Sequence, residues 1–154
     1  MLPPLQEKTQ DMILERIKGV NTSTLNPVDL GAYGFDFTVM SHTMKALDQD
    51  DNIDIIIPYF SVDYILRSEF LMNAKNSQHT ILEMAKQINK PVLPILTRFT
   101  EDSMEIEKSR IDTFSTLRSA GFPVFTNIQD AVYSISKYFE WAEKRKDGTQ
   151  NNGV

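Results

Sequence analysis

Few residues in this chain of 154 have the type and spacing that chemistry demands. Its two histidines, His42 and His79, lie in different predicted helices, and neither has a neighbour at metal-ligand spacing. His42 is expected on the solvated side of its helix, opposite Met40, Met44 and Leu47, and His79 in a helical first turn. No cysteine occurs, which removes thiolate nucleophiles, thiolate metal sites and disulfides. Acids are plentiful. Glu101, Asp102, Glu105 and Glu107 crowd one predicted helix start, where negative charge suits the dipole. Asp63 and Glu69 follow an isoleucine-rich run and are better placed for a site. The most shaped segment is TLNPVDLGAYG, residues 24–34. Pro27 fixes its own φ and drives Asn26 extended, and Gly31 and Gly34 admit angles that other residues avoid. Asp29 stands between them, ready to bond backbone amides. No P-loop and no GxGxxG after a strand is present, so nucleotide binding by this chain alone is not expected. We assign no catalytic residue and no metal ligand.

The elements that must position these residues follow from periodicity. Leu5 to Ile17 reads as a helix. A short strand at Ser23–Leu25 leads into the shaped loop. Phe37, Met40, Met44 and Leu47 form one helical stripe. Ile53–Ile57 is β-branched and nearly continuous, the pattern of a strand covered on both faces. A helix over Gln78–Gln87, a strand over Pro91–Leu96 and a helix over Asp102–Ala120 follow, the last ended by Gly121 as a C′ residue. Pro123–Phe125 is a final strand. Asn127 caps a last helix whose buried stripe is Ile128, Ala131, Val132, Ile135, Phe139 and Ala142. Met40, Met44, Met72, Met84 and Met104 read as packing residues. Alternating strands and helices predict an α/β domain with a parallel sheet. Its ligand edge would gather Asn26–Gly34, Pro58–Asp63, Thr97–Thr100 and Thr126-Asn127 at the carboxyl ends of the strands.

Composition sets outer limits. An apolar fraction of 41% and a charged fraction of 24% suit one globular domain. A net charge of −5 argues against a nucleic-acid partner. The one basic cluster, Lys144-Arg145-Lys146, closes the last helix, where cations complement the dipole. No apolar run approaches the roughly 20 residues of a membrane span, and MLPPLQEKTQ has no signal-peptide core. A cytoplasmic location is the expectation.

Four segments in order resemble one module of the NDP-forming acyl-CoA synthetases, related to the carboxyl-terminal domain of the succinyl-CoA synthetase β subunit. They are LPPLQEKTQ (2–10), NPVDLGAYG (26–34), NKPVLPIL (89–96) and AGFPVFTNIQDAVYSISKYFEW (120–141). The resemblance implies a three-layer flavodoxin-like domain over residues 1–146 with a short, mainly parallel sheet of about four strands, then a polar tail over 147–154. The family's preceding strand–helix unit is not seen, so the chain reads as an excised or truncated module. It implies acid–CoA ligation coupled to a nucleotide through a phosphohistidine, with CoA, ATP or ADP, and Mg used by the full enzyme and none bound by this chain alone. The partners implied are the CoA-binding, phosphohistidine and ATP-grasp domains, and a homodimer is compatible with them. A helix start at Phe60, Ser61, Val62 and Asp63 would face the phosphohistidine, with Asn26, Asp29 and Gly31 in the neighbouring loop. Relatives carry two glycines where this chain has Phe60 and Ser61. That departure favours an alternative, a flavodoxin-like protein-interaction or regulatory module with no enzymatic role. On either reading the isolated chain is expected to be inactive.

Overall fold

The computed structural model describes residues 2–18, 21–64, 66, 77–100 and 103–150, with side chains as far as 145. Glu69, Met72, Glu101 and Asp102 lie outside the described residues. Pro3 and Pro4 hold the entry extended, and helix α1 runs over Glu7–Leu14. It is shorter than its pattern, although Leu5 and Ile17 beyond its ends are still buried. A 3-10 turn over Gly31–Phe35 precedes α2, Phe37–Asp48. The Asp36 side chain caps α2 by accepting the Thr38 N–H at 2.7 Å. Helix α3 spans Ser77–Lys86, α4 spans Met104–Ser119 and α5 spans Ile128–Gln150. Residues 147–150, expected in a tail, thus continue the last helix.

The sheet is smaller than expected. Strands β1, Tyr59–Ser61, and β2, Ile95–Thr97, pair in parallel with Phe60 opposite Leu96. Single parallel bridges extend the pairing at Ile56–Val92 and Ile95–Phe125. The expected strand over Ile53–Ile57 is reduced to that one bridge, and the regular strand lies beyond Pro58. Prolines explain this. Pro58, Pro91 and Pro94 have no N–H to give, so each serves only as an acceptor, to Ile95, Ile56 and Phe125 in turn. Ladder regularity survives only in the gaps between them. Ser23–Leu25 is likewise no strand: Ser23 pairs antiparallel with Asp29 and closes the shaped loop on itself. The chain is therefore α/β, with helices dominating a minimal parallel sheet.

Apolar packing forms two adjoining clusters. One joins Leu5, Ile13 and Ile17 to Val39, Met44, Ile53, Ile56 and Val92. The other joins Phe60 and Val62 to Ile81, Leu82, Leu96, Leu117 and Val124. Polar pins hold the helices around them. Asp50, fully buried, accepts the Gln6 and Asn52 N–H groups at 2.9 Å each, tying α1 to the end of α2. Burial works to raise its pKa, but bonds from the Thr9 hydroxyl and these two amides outweigh it and hold the carboxyl below its ordinary range. Asp48 takes the Asn89 and Lys90 amides in the same way. Helix α4 ends as its sequence promised. Gly121 has φ +92°, its N–H reaches the Arg118 carbonyl, and the Phe122 N–H reaches Leu117, which is a Schellman closure. Asn127 caps α5 by accepting the Asp130 N–H at 2.8 Å. The face of α5 expected to be buried is so only in part: Ala131 is fully buried and Ile135 and Ala142 half-buried, but Ile128 is exposed. Val132 is 53% exposed and Phe139 49%. Among the described residues no helix is long and apolar enough to cross a membrane.

Candidate functional site

Parallel strands deliver their carboxyl ends to one edge, and three segments meet there. Directly after β1 the chain turns helical at Val62. Asp63, in that first turn, reaches across to the segment after β2. Its carboxylate accepts the Phe99 N–H at 2.7 Å and the Thr100 N–H at 2.8 Å. Desolvation pushes the Asp63 pKa up, but the Thr100 hydroxyl and these amides outweigh it and hold the carboxyl below its usual range. Asp63 therefore binds a neighbouring loop and fixes the distance between the two strand ends.

Rings reinforce the same junction. Phe35, from the 3-10 turn, stacks on Tyr64 at 4.4 Å between centroids, and Tyr64 meets Phe99 edge-on at 6.0 Å. All three rings are exposed on their outer sides. Beside them a cleft of about 350 Å³ is lined by Leu96, Thr97, Arg98, Arg110 and Thr126. Glu107 aligns both guanidinium groups. It lies 2.9 Å from Arg98 Nη1 and takes two bonds from Arg110, at 2.5 and 3.0 Å. The Arg110 bonds first, and then the Arg98 charge, keep Glu107 ionised below the ordinary carboxylate range. Such a rim is suited to a compact oxyanion such as a phosphoryl group. At the end of β1, outside this cleft's lining, Ser61 has a buried Oγ with no hydrogen-bond partner among the described residues.

The sequence-derived residues divide. Ser61 and Asp63 sit at this edge. Phe60 and Val62 do not face it: Phe60 is a strand residue 5% exposed, and Val62 is fully buried. The helix start expected over Phe60–Asp63 thus falls two residues later, at Val62, because the strand continues past Pro58 and alternation sends Phe60 into the core. Asn26, Asp29 and Gly31 form a closed loop of their own. The Asn26 side chain donates to the Pro3 carbonyl at 3.0 Å, and Asp29 accepts the Gly31 N–H at 2.8 Å. Gly31 has φ +52°, and a Cβ there would stand 2.6 Å from the Asn21 carbonyl oxygen, so only glycine fits. The Asn26–Pro27 bond is cis. This loop reaches the edge through Phe35. Arg98, Arg110 and the ring cluster were not singled out from sequence. The usable signals were Arg98 one residue beyond a strand and Glu107–Arg110 at i, i+3 on a helix.

The histidines converge in a separate groove of about 530 Å³ between α2 and α3, with Arg16, Lys45 and Glu83. His42 is half-buried there, not solvated, and its Nε2 lies 2.8 Å from the Met12 carbonyl, so the ring braces α2 against α1. Among the described residues no group of three or more His, Asp and Glu could hold a metal. No family model, no curated protein and no solved structure matches the chain.

Proposed function

We propose that this chain is a domain of an NDP-forming acyl-CoA synthetase, itself non-catalytic, whose carboxyl edge receives a phosphohistidine supplied by another domain. The observation that carries this reading is the cleft lined by Arg98, Arg110 and Thr126 at the carboxyl end of β2. The two guanidinium groups, partly neutralised by Glu107, keep a net positive charge that favours an anionic phosphoryl group over a neutral ligand. A three-layer flavodoxin-like sheet, shortened by prolines, is the fold that goes with it, and a cytoplasmic location is the compartment. CoA, nucleotide and Mg belong to the partner domains. The cleft, with Arg98 and Arg110 sharing Glu107, has room and positive charge for a single phosphoryl group. When bound, those groups supply the acyl carrier and the phosphoryl donor. This chain's part is to orient and neutralise.

The test is titration of the full chain, followed by NMR, with a histidine peptide phosphorylated by phosphoramidate and with inorganic phosphate. Shifts centred on residues 62–64, Arg98 and Arg110, weakened about tenfold by Arg110→Gln, are the expected result. Absence of shifts at millimolar peptide refutes the reading. A second reading, a protein-interaction module with no enzymatic role, draws on the exposed Phe35–Tyr64–Phe99 rings at the same edge. It predicts peptide binding that is indifferent to phosphorylation and to Arg110.

A further inference from the structure

We propose that the exposed apolar face of α5 seats a second copy of this chain, with the two α5 helices antiparallel and centred on Ile135. Ile128, Val132, Ile135, Phe139 and Ala142 recur at alternating spacings of four and three, the seam of a two-helix pair. Within the single chain most of that seam meets solvent. Ile128 is 43% exposed, Val132 53% and Phe139 49%, with Tyr138 at 62% on one flank, while Ile135 and Ala142 are half-buried. Ala131 is the one fully buried residue among the described α5 side chains. The 23 residues of α5 make a rod of about 34 Å, long for a helix with so little of its surface covered.

The area fits a partner of the same kind. Aromatic side chains bury about 150–250 Å² each and Ile or Val somewhat less, so at these exposures Ile128, Val132, Phe139 and Tyr138 leave on the order of 400 Å². Two copies would cover on the order of 800 Å² of apolar surface, and with a polar rim of about 40% of the area the whole reaches the lower end of a specific interface. The seam is also self-complementary. Pairing centred on Ile135 sets Phe139 against the partner's Val132 and Ile128 against the partner's Ala142, large against small at each layer. Ile135 meets its own copy. A parallel pair would stack Phe139 on Phe139 and bring the two Lys144-Arg145-Lys146 ends together. The antiparallel pair separates those basic ends and opposes the helix dipoles.

Sedimentation of the full chain tests this. At tens of micromolar it should show twice the chain mass of 17.6 kDa. Phe139→Glu and Val132→Glu should weaken dimerisation at least about tenfold with helicity retained. Tyr133→Glu, on the other side of α5 and 65% exposed, should leave the dimer intact. The chain has no cysteine, so single introduced thiols report the orientation without altering the seam. Ser136→Cys, near the centre, should cross-link between copies, and Gln129→Cys, near one end, should not. A monomer throughout, or a dimer indifferent to Phe139→Glu, overturns the proposal, and efficient cross-linking through Gln129→Cys overturns the antiparallel arrangement.

Discussion

Replacing Asp63 by alanine removes the acceptor that joins the two strand ends. The carboxylate holds two amide N–H groups, at 2.7 and 2.8 Å. A hydrogen bond to a charged group contributes about 1.5–3 kcal/mol where water is excluded. Phe99 is 65% exposed, so its amide, and that of exposed Thr100, rehydrate once released. Screening and rehydration reduce the combined loss to about 1–2 kcal/mol. For a domain of this size that is a fall in Tm of roughly 3–6 °C. Asp63→Asn keeps one acceptor oxygen and should lose less. The sign of the pH dependence follows from the lowered pKa. A carboxyl depressed in the folded state stabilises fully above its unfolded pKa of about 3.9, and that contribution is lost as pH falls through the lower folded value. The gap between wild type and Asp63→Asn should therefore be widest near neutrality and close in acid. Thermal melts from neutral pH into acid, with hydrogen exchange at the Phe99 and Thr100 amides, measure both. Equal melts at neutral pH, with unchanged protection at those amides, would mean that Asp63 does not hold the edge together.

Three further outcomes follow from the same geometry. Gly31→Ala should cost about 2–3 kcal/mol, since it adds a left-handed φ penalty to a clash with the Asn21 carbonyl; urea midpoints measure it. Asp50→Ala should cost about 3 kcal/mol or more, because the Gln6 and Asn52 amides and the Thr9 hydroxyl all lose their acceptor at a buried site; a stability change under 1 kcal/mol in a urea titration would contradict it. The isolated chain, mixed with ATP, Mg, CoA and short-chain acids, should form no acyl-CoA above buffer, and turnover abolished by a substitution within this chain would refute that.

What was legible in the sequence was local. Gly121 as a helix stop, Asn127 as a cap and Asp29 on a nearby amide each need partners within a few residues, and the structure has all three. The sheet was legible in kind but not in register. Ile53–Ile57 has the better strand composition, yet pairing depends on which N–H groups face a carbonyl on another segment, and the prolines of both segments decide that. The site was half legible. Asp63 stands out in the sequence as well placed for a site, but the Phe99 and Thr100 amides that occupy its charge come from beyond α3. Arg98, Arg110 and the three rings belong to segments far apart in sequence, and nothing local announces that they meet.

Helices α2 and α5 show where periodicity stops being informative. Both carry an apolar stripe of similar regularity. In α2 the stripe is covered from two directions: Met44 packs among the residues of α1, and Met40 touches both apolar clusters. Covering spreads beyond the stripe, so Val39, Thr43 and Ala46 are buried as well. In α5 the stripe reads as core by the same rule, and half of it, Ile128, Val132 and Phe139, meets solvent instead. A hydrophobic period records which face has to leave water, at about 25 cal/mol for each Å² covered. It carries no record of what does the covering. For α2 the cover is the rest of the chain. For α5 the chain covers Ala131 fully and Ile135 and Ala142 in part, which leaves Ile128, Val132 and Phe139 to another surface, and a seam that pairs large with small against its own reverse makes a second α5 a fitting one.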